Sequence, residues 1–483
     1  MTLSKDTDTG LNVVPLWING QNTTSTSARF PVYCFEQQKD VFLAESADKE
    51  SATRAVDAAL KAFKTWKKTP VIPRRNLLLK VASIVRARVE ELVQAQREET
   101  SVIELWARKN VSLAADVVEE VASSLSSMRG EIPQTASEGS LALVLNEPIG
   151  PILTIAPWNS SIILALRAIS TPIAAGCTVV LKASELCPRT HHLLAEIFEE
   201  AGLPAGVLNV VQTRREDAAS ITETIIAHPG IRKIDFIGSA PVGKLIGQVA
   251  AKYLKPILME LGGKGPAIVL DDADLEQAAK KCITGAFLHH GQLCFSTERI
   301  IVLEKIAPQF QELLRQEAAH FIPGSGAAEG LVDKSKDKLV DAEKKGAKFL
   351  IGGPSYGGIA SLVPTILTGV TPEMEIYHEE SFGPSVALFI ARDDAHAIEI
   401  ANDTPYGLNA AIHSKDMGRA LDVAREIECA QVHINNMTAH DEPTLPVGGS
   451  RGSGWGRCNA SWGLNEFVAP KLITLSATGN KFL

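Results

Sequence analysis

The 483-residue chain is too long for one ordinary hydrophobic core, so about two or three domains are expected. With 45% hydrophobic and 22% charged residues it has the composition of a folded globular protein, which excludes general disorder. Its 48 basic and 56 acidic residues give a net charge of −8 with no long basic run, so no nucleic-acid partner is expected.

The first ten residues are polar and carry Lys5 and Asp6, without the apolar centre of a secretory signal. Helical patterns follow over roughly 50–67, 74–100 and 112–126. Short runs rich in branched residues then recur at 141–145, 150–156, 178–182, 206–211 and 233–237, with helical pieces such as 191–201 between them. This alternation predicts βαβ units and a largely parallel sheet, hence an α/β protein. A second series follows Leu261, with strands at 267–270, 298–302, 348–351, 385–389 and 410–412. Its helices are expected over 274–288, 307–320, 395–401 and 417–428, and the glycine-rich stretch 448–456 reads as a loop. No uninterrupted apolar stretch of about 18 residues occurs, so no membrane span is expected. The seven cysteines are scattered, with no CxxC pair and no zinc-spaced cluster; no metal site is expected, and a reducing, cytoplasmic location is.

Residues 234–237 run into Gly238-Ser239-Ala240-Pro241-Val242-Gly243 and an amphipathic stretch ending near Tyr253. Strand, glycine-bearing turn and helix together present backbone N–H groups and a helix N-terminus to phosphate, and Pro241 suits a first helical turn. The spacing GxxxxG differs from GxGxxG, so taken alone it reads equally as a tight turn without a ligand. Lys182-Ala183-Ser184-Glu185 end another strand. There Lys182 and Glu185 are placed to hydrogen-bond ribose hydroxyls, a solvated charge pair being the plainer alternative.

Three islands set polar residues amid apolar and glycine-rich sequence: Ala156-Pro157-Trp158-Asn159, Met259-Glu260-Leu261-Gly262-Gly263-Lys264 and Gly291-Gln292-Leu293-Cys294. A cysteine attacks a carbonyl as thiolate, and the oxyanion formed needs a donor. Asn159 and the backbone N–H of Cys294 are candidates for that donor, and Glu260, set among apolar residues, for a base of raised pKa. Singly, each has a plainer reading: a buried thiol, a turn asparagine, a surface carboxylate.

In order, these features resemble the aldehyde dehydrogenase superfamily: PWN at 157–159, KxSE at 182–185, FxGS at 236–239, ELGGK at 260–264, GQxC at 291–294, EESFGP at 379–384, and a tail with Gly448-Gly449 and Gly454-Trp455-Gly456-Arg457. The match runs from Leu16 to about Lys471. The resemblance implies the α/β aldehyde dehydrogenase fold: a Rossmann-like cofactor domain (1–129 and 149–261), an α/β catalytic domain (262–452), and a β-arm (130–148 and 466–480) that builds homodimers or homotetramers. It implies oxidation of a small-molecule aldehyde through a thiohemiacetal and thioester on Cys294, Asn159 and the Cys294 amide forming the oxyanion hole and Glu260 activating water. It places NAD, or NADP, along Lys182 and Glu185 (adenine ribose), Gly238 and Ser239 (pyrophosphate), Glu380 (nicotinamide ribose) and Phe382 (nicotinamide). Ile155, Trp158, Ser184, Val242 and Leu261 complete the cofactor contacts. Glu185 favours NAD, because its charge repels a 2′-phosphate.

The sequence departs from that pattern at several positions. Relatives carry a lysine near Ala168 and a glutamate where Cys458 stands, so a proton-relay pair expected to serve Glu260 is missing. These losses, Arg167, Leu105-Trp106-Ala107 and the run Gln292 to Arg299 resemble the salicylaldehyde, vanillin and benzaldehyde dehydrogenase branch. An aromatic or similarly bulky apolar aldehyde is therefore expected, with Arg167 bonding a ring substituent, Trp106 packing on the ring and Phe295 lining the site. An inter-helix ion pair for Arg167 and core packing for Trp106 are the alternatives. Val447 replaces a tunnel phenylalanine, and the segment 322–332 is short, expected to trim a surface turn, an altered substrate entrance being the alternative. A CoA-acylating enzyme is a competing class, against which Glu260 speaks as a base for hydrolysis. A non-catalytic family member is another, yet it has no need of Cys294, Glu260 and Asn159 together.

Overall fold

Runs of branched residues buried on both faces, such as Thr178–Lys182 and Leu208–Val211, form the parallel centre of an eight-stranded sheet in the computed structural model, which describes residues 3–136 and 139–476. The strand order is Gly454–Trp455, Ile257–Leu261, Lys233–Gly238, Pro151–Ile155, Thr178–Lys182, Leu208–Val211, Leu16–Ile18, Gln21–Thr23. The parallel part begins at Pro151–Ile155, steps outward through the next two strands, then returns to the other flank for Lys233–Gly238 and Ile257–Leu261. That reversal opens a crevice at the carboxyl ends of Pro151–Ile155 and Lys233–Gly238, where open α/β sheets bind ligands.

The seven-stranded second sheet has the order Lys348–Ile351, Thr365–Thr368, Ser385–Ala391, Thr297–Leu303, Gly265–Val269, Asn409–His413, Gln431–Ile434. Strand Ile257–Leu261 of the first sheet passes directly over Gly262–Lys264 into Gly265–Val269 of the second. The carboxyl edge of one sheet therefore meets the amino edge of the other, and the three chemical islands lie at that seam. A separate antiparallel ribbon pairs Ser140–Pro148 with Val468–Ser476. Residues 137–138 and 477–480 of the expected arm lie outside the described residues.

Helix Ser161–Ala175 is buried at every position, so its sequence is apolar all round and shows no amphipathic period to reveal it. It ends at Gly176 (φ 96°), whose N–H donates to Ile173 O while that of Cys177 donates to Pro172 O. A side chain at Gly176 is excluded twice, by its positive φ and by Pro148 Cγ, 2.7 Å from a Cβ there. Where one helix over 74–100 is expected, two form, Val71–Ala87 and Val89–Thr100, parted at Arg88. No proline or glycine marks the break. Arg88 instead reaches Glu91 at 2.8 Å and the buried Glu196 at 3.0 Å on helix Pro188–Ala201, a tertiary pairing invisible to local pattern. The expected loop 448–456 contains the short strand Gly454–Trp455, paired with Met259 and Glu260. A side chain at Gly454 (φ 105°) would run into the Met259 carbonyl. Among the described residues no helix is long and apolar enough to cross a membrane.

Candidate active site

Strand register brings the cofactor-side candidates to one edge. Ile155 stands opposite both Lys182 and Phe236, while Ile237 and Gly238 stand opposite Glu260 and Leu261. Helix Ala240–Lys252 starts at this edge with Ser239 as its cap and no side-chain capping bond, leaving first-turn N–H groups open to an anion; Val242, 45% exposed, lies on the same turn. Lys182, only 8% exposed, has no hydrogen-bond or ion-pair partner among the described residues; burial lowers its pKa while the charge of Glu185 opposes that. A buried ammonium without a side-chain partner among the described residues fits a hydroxyl-bearing ligand. Ser184 folds back on its own turn, its Oγ accepting from Leu186 N at 3.2 Å. Glu185 opens instead onto a second cavity of about 490 Å³ with Arg29, Arg214 and Arg215 on its walls. Those arginines come from two segments far apart in sequence, and no local motif announces them.

Trp158 and Phe382 meet edge to face with centroids 5.9 Å apart. Beside them Glu380 Oε1 accepts from Gly263 N at 3.3 Å, and a Cβ on Gly262 would collide with the same carboxylate. Burial, with the charge of Glu298 adding to it, lifts the Glu380 pKa to about 8.

The loop that carries Cys294 leaves helix Leu275–Phe287 through three consecutive left-handed residues, His289 (φ 53°), His290 (φ 60°) and Gly291 (φ 70°). Left-handed backbone at a non-glycine residue costs on the order of 1–3 kcal/mol, so the surroundings must hold it. They do so through the segment 323–327. His290 N donates to Pro323 O; Gln292 Nε2 donates to His289 O (3.0 Å) and Ser325 O (3.1 Å); Gln292 Oε1 accepts from Ala327 N (3.0 Å). The short segment is thus fastened to the catalytic loop, and the expectation of a merely trimmed surface turn is corrected.

Cys294 follows, partly exposed, its backbone N–H donating to no acceptor among the described residues. Asn159, buried in the turn before helix Ser161–Ala175, donates through Nδ2 to Gln292 O at 2.9 Å, which brings the two proposed oxyanion donors together. Glu260, 4% exposed, faces the Cys294 sulfur with its Oε1 unpartnered. Burial raises its carboxyl to about 7, against the opposing pull of Cys294 and of the Arg167 charge. Burial and the negative charge of Glu260 push the Cys294 thiol well above its ordinary range.

A narrow cavity of about 100 Å³ beside Cys294 is walled by Trp106, Asn110, Asn159, Ile163, Phe295, Met437 and Asp441. Trp106 stacks on His289 at 6.0 Å and 21°. Arg167 does not reach the wall: it lies behind it, buried and ion-paired with Asp441, which turns its expected contact with a ring substituent into an indirect one. Burial opposes the Arg167 charge, and Asp441 more than restores it. Ala168 and Cys458, at the missing relay positions, are both buried.

One ion pair holds these loops in place. Lys264 Nζ donates to Glu298 Oε2 (2.7 Å) and Glu379 O (2.7 Å), while Glu298 Oε1 accepts from Ser381 N (2.9 Å) and Phe382 N (3.4 Å). The side chains are 0% and 4% exposed. Lys264→Met is therefore expected to cost about 3–5 kcal/mol, because it strands a buried carboxylate; denaturant unfolding of the two proteins measures it.

The sequence model described as the aldehyde dehydrogenase family matches residues 22–473. The chain belongs to the aldehyde dehydrogenase family. Among relatives, this aldehyde dehydrogenase is 41% identical over 477 residues to the vanillin dehydrogenase of Pseudomonas fluorescens, covering 96% of this chain and 98% of that protein. The crystal structure of a salicylaldehyde dehydrogenase from Pseudomonas putida G7 complexed with salicylaldehyde superposes with a TM-score of 0.94 at 38% identity, covering 97% of this chain and 99% of that one. A betaine aldehyde dehydrogenase of Staphylococcus aureus in complex with NAD+ superposes with a TM-score of 0.92 at 27% identity, covering 95% and 94%. The sequence signals for the family are thus borne out at the level of fold and reaction class. Asn110 and the Gln292 clamp carry no such signal, since their partners lie on distant segments.

Proposed function

We propose that this aldehyde dehydrogenase oxidises aromatic aldehydes to carboxylic acids with Cys294 as nucleophile, Glu260 as base and Asn159 with the Cys294 amide as oxyanion donors. One observation carries the reading: a buried carboxyl titrating near 7 is aimed at a partly exposed thiol on the wall of a cavity. At neutral pH the thiol is protonated, and Glu260 is matched to take its proton as the sulfur adds to the aldehyde carbon. The oxygen of that thiohemiacetal comes to rest on the Cys294 N–H and the Asn159 amide, where preplaced donors stabilise developing charge. When bound, NAD accepts the hydride that the aldehyde carbon loses, leaving an acyl group on the sulfur. Glu260 gives up that first proton to solvent and then takes one from the water attacking this thioester; the acid departs, and the released thiolate recovers a proton from Glu260 to restore the thiol.

Lys182, the open first turn after Ser239, Glu380 and the Trp158–Phe382 pair suit a dinucleotide laid across the sheet edge, with Ile155, Ser184, Val242 and Leu261 beside it. Glu185 favours NAD, and the arginines on its cavity give a 2′-phosphate a partner, so NADP serves as the weaker alternative. Residues 1–129 with 149–261 make the cofactor domain and 262–452 the catalytic domain. The ribbon of 140–148 and 468–476 exposes Leu145 (40%), Leu472 (63%) and Leu475 (36%), supporting an arm that docks on another copy in a homodimer or homotetramer. The cysteines, all free, support a cytoplasmic setting.

Aromatic walls (Trp106, Phe295) and the vanillin and salicylaldehyde relatives support the substrate class. A panel of benzaldehyde-type and straight-chain aldehydes, each with NAD and NADP, tests it by the absorbance of reduced nicotinamide. The kcat/KM for aromatic aldehydes is expected to exceed that for short aliphatic ones by roughly tenfold or more, with NAD preferred. A strong preference for short aliphatic aldehydes overturns the substrate class.

A further inference from the structure

Helix Glu104–Ser124 places Trp106 and Asn110 four residues apart, hence on one face, and that face walls the cavity beside Cys294. Asn110 is 2% exposed. Its Oδ1 accepts from Ile163 N at 3.4 Å and so caps helix Ser161–Ala175, whose own cap residue, Ser160, makes no side-chain bond. Among the described residues its Nδ2 finds no acceptor, and neither does the buried indole N–H of Trp106. A buried donor left unpaired is costly, and such groups in folded proteins have a reason. Here two of them come from the wall of a cavity that Ile163, Phe295 and Met437 also line, and whose carboxylate, Asp441, is engaged by Arg167. An oxygen on the ring of a bound aldehyde supplies the acceptor that the protein withholds.

We propose that Asn110, assisted by the indole N–H of Trp106, selects aromatic aldehydes that carry a hydroxyl or alkoxy oxygen on the ring over the unsubstituted ring. This rests on the reading of the same cavity as an aldehyde-oxidising site. A site that hydrogen-bonds a substrate oxygen rejects the analogue lacking it, because its own donor is then stranded. The oxyanion donors are Asn159 and the Cys294 N–H and not Asn110, so its effect falls on discrimination and not on the chemical step.

The experiment compares kcat/KM for vanillin and salicylaldehyde with that for benzaldehyde in the full-length enzyme and in two variants. Asn110→Ala removes both the cap and the donor; Asn110→Asp keeps an oxygen for Ile163 N and removes the N–H. The unaltered enzyme is expected to favour at least one oxygenated ring by roughly 10- to 100-fold, the size of one unpaired buried donor. In both variants that ratio is expected to fall toward unity. A purely structural Asn110 lowers all three values together and leaves the ratio unmoved, which overturns the proposal. Equal turnover of benzaldehyde and both oxygenated aldehydes by the unaltered enzyme also overturns it, while leaving the aromatic reading intact. Failure on all three aldehydes sinks the underlying reading instead.

Discussion

A Cys294→Ala enzyme is expected to lose turnover by roughly 10⁴-fold or more, the scale on which removing a covalent nucleophile acts. The argument rests on position before reactivity. Of the seven free thiols, Cys294 is the one on the wall of the aromatic-lined cavity; Cys34, Cys177, Cys187, Cys282 and Cys458 are buried, and Cys429, partly exposed, lies off that wall. Cys294 is also the one faced by a carboxyl whose pKa near 7 equips it to remove the thiol proton. Burial, with the Glu260 charge adding to it, holds the resting thiol protonated, so Glu260 is the group placed to take that proton as the sulfur attacks. The variant is expected to keep its affinity for NAD, because Lys182, the Ser239 turn and Glu380 are untouched. Quenching of intrinsic tryptophan fluorescence by NAD checks this, and steady-state formation of reduced nicotinamide checks the rate. Oxidation at an undiminished rate, with NAD still bound, would falsify the covalent mechanism.

What the sequence discloses about this site follows from how local the information is. Cys294, Glu260 and Asn159 stand in short islands whose glycines and apolar neighbours betray them, and each island abuts a strand end that register then aligns. Helix Ser161–Ala175 is hidden because a segment buried on every side has no period. The break at Arg88 is hidden because its cause, Glu196, lies more than a hundred residues away. The same holds for Asn110 on Ile163, Gln292 on Ser325 and Ala327, and Lys264 on Glu298. Arg167 shows the limit from the other side. Its position in the sequence points to the substrate, while its partner, Asp441, is 274 residues away and turns it from the cavity. Local pattern discloses which residues have chemistry to offer; tertiary pairing decides which of them face the reacting carbon.

Replacing Glu260 by glutamine is expected to slow steady-state turnover by about 10²- to 10⁴-fold, the range of a positioned general base. The loss should fall unevenly on the cycle. Release of the acyl group needs a proton taken from water, and glutamine takes none. The first turnover, which ends with acyl on sulfur and reduced nicotinamide formed, suffers less, since a fraction of the thiol can still lose its proton to solvent. Rapid mixing should therefore show a burst of reduced nicotinamide approaching the number of sites, then a slow phase. The pH dependence has a definite sign. Glu260 accepts protons only when ionised, so the hydrolytic rate of the unaltered enzyme rises as pH passes upward through about 7 and levels above it. That inflection belongs to a carboxyl lifted by burial and restrained by Arg167, whose own charge is balanced by Asp441 at the cavity wall. Burial lifts the base into this range with neither relay residue present at Ala168 and Cys458, and the Arg167–Asp441 pair only tempers it. In the Glu260→Gln enzyme the inflection should vanish along with the fast hydrolysis. A variant that shows no burst and keeps both its rate and its rise near neutral pH would mean that another group activates the water.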